Sequence, residues 1–152
     1  MTDSRTLYAA LLGVTEPWGV ELVEMKREAG EVHVTVALPK NTRWVCPECL
    51  AAAPIHDHQE RGWRHLDTCQ FRTFVHARVP RLDCPSHGIK QIRVPWAEPG
   101  SRFTALFEAL AIDWLKQSSL SAVAKQMRLT WDEADGIMAR AVARGLARRQ
   151  PE

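Results

Sequence analysis

Two short turns constrain this chain more than anything else in it: Cys46-Pro47-Glu48-Cys49 and Cys84-Pro85-Ser86-His87-Gly88. Each offers two metal-binding side chains separated by two residues, so one tight turn can present both to a single ion. The proline after each leading cysteine restricts the backbone. Gly88 supplies a position tolerant of positive φ. A tetrahedral ion held by Cys46, Cys49, Cys84 and His87 joins the two turns and makes one unit of the chain between them. Thiolate-rich sites of this kind suit Zn2+. Four protein donors leave no open coordination position, so the expected role of the ion is structural and contributes roughly 10 kcal/mol or more to folding. The competing reading is two unrelated turns with buried or free thiols. Cys69 is expected mid-strand as a small buried hydrophobe. His33 reads as a solvated strand residue, and His56, His58, His65 and His76 as spare imidazoles.

The rest of the composition narrows the class. No stretch approaches the ~18 apolar residues of a membrane-spanning helix. The first residues, Met1-Thr2-Asp3-Ser4-Arg5, lack the basic, apolar and small-residue order of a secretory leader. The expected location is therefore the cytoplasm, where 4 cysteines are poor material for a disulfide framework. A net charge of +2 says little about partners, but its distribution says more. Between the turns and just past them, Arg61, Arg64, Arg72, Arg78, Arg81, Lys90 and Arg93 outnumber Asp67 and Asp83. That imbalance is either a solvated face or an electrostatic footprint for nucleic acid.

Periodicity divides the chain. A short helix is expected from Ser4 to Leu12, capped by Ser4 and stopped at Gly13. Residues 20–25 and 32–38 read as strands joined by a turn at Ala29-Gly30-Glu31; the second alternates apolar and polar side chains. Further strands are expected at about 60–67, 70–80 and 89–94. In the second of these, Phe71, Thr73, Val75, Ala77 and Val79 share one face and Arg72, Phe74, His76 and Arg78 the other. The segment 96–101, with Pro99 and Gly100, reads as a linker.

Beyond it the period changes to that of a helix. Phe103, Leu106, Phe107, Leu110, Ala111, Trp114 and Leu115 follow i, i+3, i+4, i+7, i+8, i+11, i+12. Ser118 or Ser119 caps a second helix with Leu120, Val123, Ala124 and Met127 inward. Thr130-Trp131-Asp132-Glu133 is a capping-box pattern opening a third, with Ala134, Ile137, Met138, Ala141 and Val142 inward. The fold class is therefore α+β. A small zinc-ribbon-like β domain with an N-terminal helix (1–95) precedes a three-helix helix-turn-helix domain (102–152).

Such a unit places the start of its last helix in the major groove of DNA. Trp131 stands at that start, and Arg140 and Arg144 further along are candidates to hold the phosphate backbone. Asp132, Glu133 and Asp135 suit the helix dipole but repel phosphate. Arg128 occupies the turn position where glycine is usual. A plain bundle used for packing or for a homodimer is the alternative. Arg61, Arg64, Arg72, Arg78 and Arg81 are the candidate phosphate contacts of the β domain, and Trp63 is expected to pack under the metal site.

Four strings together resemble a known family. They are Cys46-Pro-Glu-Cys49; Arg61-Gly-Trp63-Arg64-His65-Leu66-Asp67-Thr-Cys69; Val79-Pro80-Arg81-Leu-Asp-Cys84-Pro-Ser-His87-Gly88; and Val94-Pro95-Trp96-Ala97-Glu98-Pro99-Gly100-Ser101-Arg102-Phe103. They are similar to the N-terminal half of the ISL-three family of bacterial insertion-sequence transposases, from about Trp44 onward. The resemblance implies a zinc-binding region and a helix-turn-helix that recognise the terminal inverted repeats of the element in double-stranded DNA, in the bacterial cytoplasm at the nucleoid. It also implies a later catalytic domain of the DDE, RNase H-like type, beginning past Glu152. No acid of this chain is expected to be catalytic. A free-standing transcriptional regulator and a zinc-dependent protein-interaction module are the alternative functions.

Overall fold

A computed structural model describes residues 3–149. The chain divides into two compact units between Ala105 and Leu106. No helix among the described residues is long and apolar enough to cross a membrane.

The first unit begins with helix α1 (Ser4–Leu12). Its cap is Asp3, one residue before the expected Ser4, and the carboxylate accepts the Thr6 amide at 2.9 Å. Gly13 ends the helix in the left-handed conformation, φ 70°. Tyr8 and Leu12 are its buried residues. The Tyr8 hydroxyl is 2.6 Å from Thr68 Oγ1, which lies 2.8 Å from Thr73 Oγ1.

Five strands follow: β1 (Gly19–Lys26), β2 (Glu31–Ala37), β3 (Ile55–Thr68), β4 (Phe71–Cys84) and β5 (Gly88–Gln91). They form one sheet in the order β1-β2-β4-β3, with β5 added to β4. All neighbours are antiparallel except β2 and β4, which are parallel. The alternation expected for β4 sets the register across the sheet. Val34 pairs with Val75, and Val75 with Trp63, so one apolar row crosses three strands. All three are buried. The neighbouring row, His33, Phe74 and Arg64, points to the other face.

Three tryptophans fill one part of this core. Trp96 meets Trp18 and Trp63 edge-on, with ring centroids 5.0 and 5.3 Å away. Burying aromatic rings of this size is a large apolar gain for so small a unit. It also corrects the linker expected at 96–101: Trp96, Ala97 and Ser101 are buried. The chain continues beside β3, where Thr104 N donates to Arg64 O at 2.9 Å. Prolines and a glycine there shape a packed loop rather than a spacer.

Cys69, expected as a buried strand residue, is exposed at the tip of the β3–β4 hairpin. Cys69 and Gln70 both have positive φ, 49° and 70°. Two left-handed residues in succession match the twist of a two-residue hairpin turn.

The second unit holds α2 (Ala105–Leu115), α3 (Leu120–Met127) and α4 (Trp131–Arg148). The long apolar stripe of α2 is only partly used. Phe107 and Ala111 are buried, while Leu106, Leu110 and Trp114 are exposed. The stripe is wider than the surface that covers it. Glu108 is buried at 2% exposure because Arg140 meets it, Nε to Oε1 at 2.9 Å. Ser119 caps α3, accepting the Ala122 amide, and Arg128 closes it at φ 57°, in the conformation glycine usually takes. The Thr130–Glu133 capping box is formed in both directions, at 3.1 and 2.9 Å. Ala134 and Ile137 of α4 are buried, whereas Met138 and Val142, expected inward, are exposed.

Candidate metal centre and nucleic-acid interface

The first turn is a tight hairpin. Cys46 N donates to Ala51 O at 2.8 Å, and Leu50 N donates to Cys46 O at 2.9 Å. Leu50, directly after Cys49, has φ 61°. The second turn joins β4 to β5, with Cys84 paired to Gly88. Gly88, directly after His87, has φ 73°. Each turn thus reverses through a left-handed residue immediately after its second donor. The sheet brings the turns together: Ile55 at the start of β3 pairs with Leu82, and Asp83 N donates to Pro54 O at 3.0 Å.

The donor atoms of Cys46, Cys49, Cys84 and His87 all lie within 4.8 Å of one another. Cys49 Sγ is 3.6 Å from Cys84 Sγ. His87 Nδ1 is 3.7 Å from Cys46 Sγ and 3.6 Å from Cys84 Sγ. A tetrahedron with Zn–S bonds of about 2.3 Å and Zn–N bonds of about 2.0 Å has edges of roughly 3.8 Å between sulfurs and roughly 3.5 Å between sulfur and nitrogen. These three separations are close to those edges, and every other donor pair lies within 4.8 Å, so the residues fit a closed site for a soft divalent ion. Cys46 and Cys84 are buried; Cys49 and His87 are exposed. His87 beside it, with the Ser86 backbone amide, lowers the Cys84 thiol to about 6, which favours the thiolate a metal needs.

A second layer escaped the sequence reading. His87 presents Nδ1 to the sulfurs, and its Nε2 lies 3.4 Å from Glu48 Oε2. The other oxygen of Glu48 is 3.1 Å from Lys90 Nζ on β5. The Lys90 hydrogen bond holds the Glu48 carboxyl below its usual range. The available signal was the acid between the first two donors.

The candidate DNA contacts separate by environment. Arg61 lies over the Trp63 ring, 4.8 Å from its centroid, and donates to Gln91 Oε1 at 2.8 Å and Ser101 O at 3.2 Å. Arg64 has a side chain only 11% exposed and faces Asp67 at 3.4 Å. Arg140 is held by buried Glu108. Each of these three has an intramolecular partner that the sequence reading did not name. Arg72 pairs with Glu31 at 3.4 Å, and Arg81 forms a two-pronged pair with Asp57. Arg78 is exposed on the outer face of β4, Trp131 is exposed at the start of α4, and Arg144 is partly buried along it. His33 is no lone solvated residue: its Nδ1 is 2.7 Å from His76 Nε2, and its Nε2 is 3.0 Å from Glu31.

Two family descriptions match in tandem. The zinc-finger of transposase IS204/IS1001/IS1096/IS1165 matches residues 42–87, and the helix-turn-helix domain of transposase family ISL3 matches residues 92–142. The first span includes all four donors; the second includes α2, α3 and the start of α4. The chain carries the zinc-finger and helix-turn-helix regions of the ISL3 transposase family. Its relatives include the transposase for insertion sequence element IS1557 of Mycobacterium tuberculosis, from strains CDC 1551 / Oshkosh and ATCC 25618 / H37Rv. Each is 33% identical over 141 residues, 88% of this chain. The ISL3 region described here spans about a third of those relatives, 32% of their length. No solved structure matches it.

Proposed function

We propose that this ISL3 region is the DNA-recognition part of an insertion-sequence transposase, and that it binds the terminal inverted repeats of its element. The observation that carries this reading is the tandem match of the two family regions to the two structural units' distinctive parts, the paired turns and the α3–α4 pair. Zn2+ is the expected ion, with Cys46, Cys49, Cys84 and His87 as its ligands. When bound it supplies a cross-link between the turns, and no chemistry on DNA.

In this reading, the unit up to Ala105 is a zinc-bearing β domain, and the unit from Leu106 is a three-helix helix-turn-helix domain whose α4 enters the major groove. Trp131 is placed to meet the groove, and Arg144 the backbone. On the β domain, Arg78 is the leading phosphate contact. Arg72 and Arg81 follow, because exposed ion pairs contribute little and can be exchanged for phosphate. The strand-transfer chemistry of such a protein belongs to a DDE domain outside this region.

Selection from a random double-stranded DNA pool with the zinc-loaded protein tests the reading. Enriched sequences should match the ends of the element that encodes the chain. Enrichment of unrelated promoter-like sites points to a transcriptional regulator instead, and no enrichment contradicts both.

A further inference from the structure

We infer that Glu48 is a positioning residue for the metal centre, which fixes the orientation of His87 and braces the first turn against the second. The inference rests on the reading of Cys46, Cys49, Cys84 and His87 as zinc ligands.

His87 is exposed, on the turn between β4 and β5. Something must select the tautomer that leaves Nδ1 free for an ion, because an imidazole coordinates through an unprotonated nitrogen. A carboxylate facing Nε2 does this: it favours the proton on Nε2 and leaves the lone pair on Nδ1. Glu48 Oε2 is 3.4 Å from His87 Nε2, on the side of the ring away from the sulfurs. Glu48 lies between Cys46 and Cys49, so this interaction links the two turns a second time, outside the donor set. Lys90 holds the other carboxylate oxygen at 3.1 Å from β5. Leu82 pairs with Lys90 two residues before Cys84, so the anchor belongs to the same hairpin as His87. The carboxylate is thus aimed from both ends.

The test uses the full chain, with Glu48→Ala, Glu48→Asp and Lys90→Met. Zinc affinity is measured by competition with a chromophoric chelator. Cobalt substitution reports the thiolates through its charge-transfer absorption, and NMR reports the exchange of the His87 Nε2 proton. Glu48→Ala should weaken zinc binding about 10–100-fold while the cobalt spectrum keeps its thiolate bands. The Nε2 proton signal of His87 should be visible in the parent and lost in that variant. Glu48→Asp should recover most of the affinity, and Lys90→Met should lose less than Glu48→Ala. If Glu48→Ala binds zinc within twofold of the parent with an unchanged His87 proton signal, the role of Glu48 is wrong and the zinc ligands stand. A parent chain that takes up neither zinc nor cobalt overturns the ligand assignment and this inference together.

Discussion

His65 shows how much a single residue depends on where the chain leads it. It is 5% exposed, and its Nδ1 is 2.7 Å from Thr104 Oγ1. Burial lowers its pKa from 6.5 to about 4. Below 6.5 the unfolded chain takes up a proton that the folded chain refuses. This contribution to stability is therefore full above about pH 6.5, falls as the pH drops, and is exhausted near pH 4, a loss of about 3 kcal/mol. Unfolding free energies of the parent and a His65→Gln variant, from urea titrations between pH 7 and 4, should converge in acid by about that amount. Arg140 gives a second prediction. Arg140→Met leaves Glu108 buried without its cation and should destabilise the helical unit by about 2 kcal/mol or more, while replacing both partners with apolar residues costs much less. Arg140→Met should also leave the salt dependence of DNA binding unchanged, whereas Arg78→Gln should lower its slope by about one. The sequence shows that Arg61, Arg64 and Arg140 are basic. Trp63 and Asp67 lie within three positions of Arg61 and Arg64, but Glu108 is 32 residues from Arg140, and that meeting is made by the fold and not by spacing.

Elements held together by local rules were legible. The apolar alternation of β2 and β4, the Gly13 stop and the Thr130 capping box all depend on residues within a few positions of one another. Thr130→Ala should cost about 1 kcal/mol, seen as a lower thermal midpoint with little change in helix content. The parallel pairing of β2 with β4 was not legible, since it joins strands separated by the whole first turn and β3. The left-handed hairpin tip at Cys69-Gln70 was missed because neither residue is one that usually takes that conformation. The width of the α2 stripe misled for the opposite reason: periodicity shows which residues could share a face, not how much of that face is covered. The clustering of Cys46, Cys49, Cys84 and His87 was half legible: the two-residue spacing within each pair is local, and only the convergence of the two pairs needed the β3–β4 pairing.

At the scale of the whole molecule, a small β unit and a helical unit serve one proposed task. The ion is expected to secure the first. Chelation that removes zinc, verified by elemental analysis, should melt residues of about 40–95, seen as lost amide protection across β3, β4 and β5, while α3 and α4 keep theirs. Unchanged protection throughout would mean that the sheet and its tryptophan core suffice without metal. Whether the region recognises DNA is the claim on which the rest depends, and a gel-shift of the zinc-loaded chain against its element's ends in graded salt tests it most directly. A region that recognises the ends should give a shift at low salt that weakens steeply as salt rises and is stronger for the ends than for unrelated duplex. The absence of any shift at low salt, where phosphate contacts are strongest, would contradict that claim.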